Sequence, residues 1–168
     1  LGAVDVLLVD IDSWDCAVTE AVLRHSRARQ RKHPNMPLPA LLYIELCTVV
    51  PPPFLFNRMC NLSAPSFSGK GSLHPATYSC SLSHAVTTFG DYGYDLLAYP
   101  AGNGVFVRRD LTPLFTAAWG RGIPKDEFDC YRQAHITVPT IPPDFLREWF
   151  FSANDPQDML LTASKMLQ

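Results

Sequence analysis

The feature that most constrains this chain is a pair of short apolar runs separated by one helix length and a proline-rich break. Residues 4–9, with Val4, Val6, Leu7, Leu8 and Val9, are β-branched or aliphatic and read as a buried parallel strand. Residues 40–46, with Leu41, Leu42, Tyr43, Ile44, Glu45 and Leu46, read as a second. Between them Trp14, Ala17, Val18, Ala21 and Val22 recur at the spacing of one helical face. Asp12 or Ser13 is the expected N-cap, and Asp15 falls in the first turn, where the helix dipole favours negative charge. The helix closes on the basic residues 24–33. These read as a solvated C-terminus matched to the dipole rather than a phosphate patch, since no aromatic residues interleave with the charges.

Past the second strand, Pro51, Pro52 and Pro53 open a long irregular stretch that reaches about residue 75. Residues 79–92 fit a helix with Leu82, Ala85, Val86 and Phe89 inward, closed by Gly90 and Gly93. Residues 94–99 form a strand, Pro100, Ala101 and Gly102 a turn, and residues 103–109 its antiparallel partner. Strands alternating with helices imply right-handed parallel crossovers, and the terminal hairpin adds one antiparallel strand to that sheet. The expected class is therefore α/β. Residues 1–111 form the α/β unit and 112–168 a less regular extension, with short helices at 145–151 and 156–167.

Composition narrows the function. The 168 residues are about one domain, and 47% hydrophobic with 18% charged residues permits a core and excludes a disordered or collagen-like chain. Lys+Arg 14 against Asp+Glu 16 leaves a net charge of -2, so no electrostatic footprint for nucleic acid or an anionic membrane is expected. No apolar run reaches the roughly 18 residues of a transmembrane helix. The five cysteines are odd in number and include no CxxC pair, which reads as a reduced, cytoplasmic protein without disulfides. The sequon at Asn61 is the one sign of a secreted chain. The five histidines lack zinc-ligand spacing, and Lys70 with its flanking glycines reads as a flexible loop rather than a phosphate loop. The chain starts at Leu1 and enters a strand almost at once, which reads as a fragment.

Three stretches carry a resemblance. Residues 6–15, VLLVDIDSWD, end a strand on Asp10, Asp12 and Asp15; residues 42–46 are LYIEL; Ser81-Leu82-Ser83-His84 is followed by Gly93-Tyr94-Asp95-Leu96-Leu97 and by NGVFVRRDL from Asn103. Together they resemble the later half of a class I, Rossmann-like methyltransferase domain that uses S-adenosylmethionine, of the FkbM-like group, over roughly residues 4–111. The resemblance implies an incomplete Rossmann-like sheet, its last parallel strands plus the hairpin, and methyl transfer to an oxygen or nitrogen of a small-molecule or saccharide-type acceptor. Ser13 stands where that group favours Gly, and Leu46-Cys47 replaces its Tyr-Asn. The glycine-rich turn and the ribose-binding acidic residue, which make most of the cofactor site in such folds, are absent. The chain alone is expected to bind S-adenosylmethionine weakly or not at all and to be inactive by itself.

Site candidates follow from position. Open α/β sheets bind ligands at the carboxyl ends of their strands, where Asp10, Asp12 and Glu45 are expected as the catalytic carboxylates, with Asp10 also a possible cofactor contact. A carboxylate there orients the acceptor or a hard cation, although Asp12 and Asp15 also suit helix capping. Asp15, Ser81 and Asn103 are expected to bind substrate; the plainer readings are helix start for Ser81 and turn cap for Asn103. No metal site is expected. Two alternatives stand beside this. Asp10 and Asp12 after an apolar strand also look like the first motif of haloacid-dehalogenase-type, Mg-dependent phosphohydrolases, with Thr48, Lys70 and the acidic pair Asp91 and Asp95 as the later motifs. The third reading is a non-catalytic, methyltransferase-like interaction module.

Overall fold

The computed structural model describes residues 4–48, 50–57, 79–119 and 126–137. The chain runs β1 (Val6–Val9), α1 (Asp15–Gln30), β2 (Leu41–Glu45), α2 (Leu82–Asp91), β3 (Tyr94–Ala98), β4 (Asn103–Arg108), α3 (Thr112–Trp119) and α4 (Glu127–Thr137). Single 3-10 turns at Pro100–Gly102 and Arg109–Leu111 flank β4. The expected helices at 145–151 and 156–167, the sequon at Asn61 and the Lys70 loop lie outside the described residues. None of the described helices is long and apolar enough to cross a membrane.

The four strands form one mixed sheet in the order β1-β2-β4-β3. β1 and β2 are parallel, with Val6 opposite Leu41 and Val9 opposite Ile44. β4 is antiparallel to both β2 and β3, so the hairpin does add one reversed strand to a parallel set. Side chains alternate along a strand, so residues level with each other across the sheet share a face. Leu7, Leu42, Phe106 and Leu96 make one such row. That face packs on Cys16 and Leu23 of α1 and on Leu82, Ala85 and Phe89 of α2. Phe89 meets Phe106 edge-to-face with centroids 5.2 Å apart. Gly104 lies in the adjacent row. A Cβ there would sit 2.7 Å from Leu46 Cδ1 and 2.6 Å from the Phe106 ring, so the close packing of β4 against the core leaves no space for a side chain.

β1 departs from the buried strand expected. Among the described residues it is an edge strand, and Val6 and Leu8 on its other face are 54% and 63% exposed. α1 departs as well. Its buried residues are Asp15, Cys16, Thr19 and Leu23, whereas Val18 and Val22 of the expected inward face are 39% and 37% exposed. Apolar spacing located the helix but not the side that faces the sheet. The helix start also differs: Trp14, not Asp12 or Ser13, holds the N-cap position, and its side chain does not cap the helix. α2 matches expectation closely. Leu82, Ala85 and Phe89 are buried, Val86 packs against them, and Ser81 caps the helix by accepting a bond from His84 N.

The cysteines require a correction. Cys16 and Cys80 form a disulfide across 64 residues, while Cys47 and Cys130 are buried outside any disulfide. The expectation of a wholly reduced set therefore fails, because the fold brings two cysteines into contact that no sequence spacing pairs. α4, beyond residue 111, is packed into the same core. Tyr131 is buried there and donates to Thr48 O at 2.6 Å, and Ser83 Oγ donates to Glu127 Oε1 at 2.6 Å.

Candidate functional site

The parallel pairing of β1 and β2 determines where the acidic residues go. Both strands end at the same edge of the sheet, so the turn after Val9 and the last residue of β2 become neighbours. Asp12 takes a positive φ of 54°, a conformation aspartate tolerates better than most residues. Asp10, Asp12 and Glu45 thus each bring one carboxylate oxygen to within 4.8 Å of the others. Asp10 and Asp12 are exposed and Glu45 is half-buried.

Burial, and then the negative charges of Asp12, Asp10 and Asp15, push the Glu45 carboxyl up from 4.5 to about 7. Its Oε2 is buried without a hydrogen-bond partner. A hydrogen bond to Asp12 also favours the protonated form of Glu45. The cluster can therefore hold a proton near neutral pH and release it, or offer three hard oxygens to a divalent cation. The sequence reading expected no metal site, and the close approach of these carboxylates depends on the strand pairing.

The raised carboxyl has a consequence for stability. The folded value, about 7, lies above the ordinary 4.5 of an unfolded chain. Below pH 4.5 Glu45 is protonated in both states and costs nothing. As pH rises from about 4.5 to about 7, the unfolded chain loses the proton first, so stability falls; above about 7 the loss is complete. Glu45→Gln is expected to remove this slope, giving urea midpoints that no longer decline across that window. A slope unchanged in the variant would assign it to other groups.

The remaining candidates are placed as follows. Asp15 is fully buried, and its two oxygens accept from Ile11 N at 2.9 Å and Ser13 N at 3.0 Å. It braces the turn that presents Asp10 and Asp12, a structural task that the expected substrate role does not need. Ser81 is also fully buried; its hydroxyl donates to Phe54 O at 2.6 Å and accepts from Phe56 N at 3.0 Å. Asn103 stands opposite Glu45 in the sheet, with Nδ2 3.5 Å from Ala101 O and Oδ1 buried without a partner. Asn103 and Glu45 are therefore brought to one corner, whereas Asp15 and Ser81 are turned into the protein beside it.

The sequence reading missed Ser79. It is fully buried with φ 53°, its N donates to Ser13 O at 2.7 Å, and its hydroxyl donates to Glu45 O at 2.7 Å. Asn57, with Oδ1 buried and unpartnered, was missed too. Neither carries a local signal, since each gains its setting from residues distant in sequence.

Two further sites can be compared with the geometry. In a phosphohydrolase of the haloacid-dehalogenase type, the later acidic pair must face the first aspartates. Asp95 pairs across β4 with Val107, which is level with Leu41 and so with Val6 at the start of β1. Asp10 follows the end of β1, about 13 Å further along the strand direction. Asp95 is instead held by Arg109 at 2.9 Å and by Thr112 at 2.9 Å. The β1–α1 turn is built around Asp15. That turn contains no glycine, and the amides of Ile11 and Ser13 are already taken by Asp15. No family model matches the chain, and neither a curated protein nor a solved structure does.

Proposed function

We propose that this chain supplies the acceptor side of a Rossmann-like, S-adenosylmethionine-dependent methyltransferase domain of the FkbM-like type. The observation that carries the reading is the Asp10, Asp12 and Glu45 corner at the carboxyl ends of two parallel strands, where open α/β sheets bind ligands. The sheet supports it by ending in a hairpin that inserts one antiparallel strand. The edge of β1 that no described strand pairs, with Val6 and Leu8 exposed, suits the addition of further strands, as the incomplete sheet of this reading requires.

In this reading Glu45 takes the proton from an oxygen or nitrogen of a small-molecule or saccharide-type acceptor, and Asp10 and Asp12 orient that acceptor. Asn103 supports it from β4. The cofactor, when bound in the complete domain, supplies the methyl group. The sequence has no glycine-rich turn for its nucleoside, so these carboxylates are assigned to the acceptor. A cytoplasmic setting belongs to the same reading, and there a disulfide is more often regulatory than structural.

Calorimetric titration of the 168-residue chain with S-adenosylmethionine is expected to give no heat of specific binding. Micromolar binding would show that this chain builds the nucleoside pocket itself and would overturn the division of roles. Labelled methyl transfer from S-adenosylmethionine to a saccharide panel, assayed with the complete domain, tests the activity. Cofactor binding without any transfer would favour the non-catalytic interaction module.

A further inference from the structure

We propose that the Cys16–Cys80 disulfide is a redox latch on the acidic corner, holding residues 79–81 as a strip between the β1–α1 turn and the end of β2. Cys16 follows Asp15, the residue that braces the turn carrying Asp10 and Asp12. Cys80 sits between Ser79, which bonds Ser13 O and Glu45 O, and Ser81, whose backbone N donates to Phe56 O. Cys80 O accepts from Cys47 N at 2.8 Å, and Cys47 bridges Ser81 in parallel fashion. The strip therefore touches both sides of the corner through hydrogen bonds, and the disulfide is its covalent tie to the turn.

Ser79 shows why a tie is needed. A left-handed φ is unfavourable for a serine and persists only where surrounding contacts impose it. When a dithiol reductant cleaves the S–S bond, two electrons and two protons convert Cys16 and Cys80 to thiols, and the dithiol becomes a cyclic disulfide. The strip then keeps its hydrogen bonds and core packing but no covalent tie to the turn, Ser79 relaxes, and the spacing of Glu45 from Asp10 and Asp12 is no longer fixed. Both cysteines are buried, at 2% and 0% exposure, so reduction requires the strip to lift first.

The latch concerns the same corner as the proposed acceptor site, but its test uses no transfer assay, so the two readings can fail separately. Backbone 15N relaxation of the full chain, oxidised and after dithiothreitol, measures it directly. The order parameters of the Cys47 and Ser79 amides are expected to fall from about 0.85 to below about 0.6 on reduction, while Ile44 and Phe106 in the sheet keep rigid values. Cys16→Ser with Cys80→Ser should reproduce the reduced pattern without a reductant. Unchanged order at Cys47 and Ser79 in the reduced chain would overturn the latch. So would an equal loss at Ile44 and Phe106, which would make the disulfide a staple of the whole fold.

Discussion

On the methyl-transfer reading proposed above, Glu45→Gln is expected to lower turnover about 10²- to 10⁴-fold, the usual contribution of a positioned general base. The amide keeps the size and shape of the side chain but cannot accept the proton. Glu45 is suited to the task because a base works best with a pKa near the operating pH, and its carboxyl lies at about 7. The same substitution is expected to leave folding intact and to raise stability at pH 8 by about 1 kcal/mol, after allowing for solvent screening of this half-exposed group. A large fall in turnover with no fall in stability separates a chemical role from a structural one. Turnover within twofold of the parent would remove Glu45 from the reaction.

Loss of the disulfide is the second large effect. Cys16→Ala with Cys80→Ala opens a loop of 64 residues in the unfolded chain. The loop-closure model assigns such a link about 4 kcal/mol, which is a large share of the roughly 5–15 kcal/mol that holds a domain together. With a urea m-value of about 2 kcal/mol/M, the unfolding midpoint is expected to fall by about 2 M. A shift under about 0.3 M would mean that the native contacts around Ser79 and Ser81 hold these segments together without the covalent link.

These predictions depend on features with very different visibility in the sequence. The strands and α2 were legible because burial imposes a period on the apolar residues: Leu82, Ala85 and Phe89 recur as a helix requires, and Gly93 follows, although Gly90, expected to close the helix, lies inside its last turn. α1 was legible as a helix, yet its buried side carries Asp15 and Thr19 while Val18 and Val22 face outward. Asp15 is buried because its oxygens satisfy two backbone amides, a bond set that hydropathy does not register. The exposure of Val6 and Leu8 was equally hidden, since whether a strand is central or at an edge depends on its neighbours.

What the sequence by itself determined is the set of local elements and the residue types at their ends: apolar period, proline breaks, a turn at residues 100–102, and carboxylates following β1 and closing β2. Only the tertiary structure decided which of those ends meet. The parallel register of β1 with β2 put Asp10 and Asp12 beside Glu45 and raised its carboxyl, and the packing of the residues just ahead of α2 put Ser79 and Cys80 against Ser13 and Cys16. The physical reason is that helix and strand periods arise from nearest neighbours along the chain. The spacing of charges and sulfurs as far as 64 residues apart is set by how sheet and helices pack around one core.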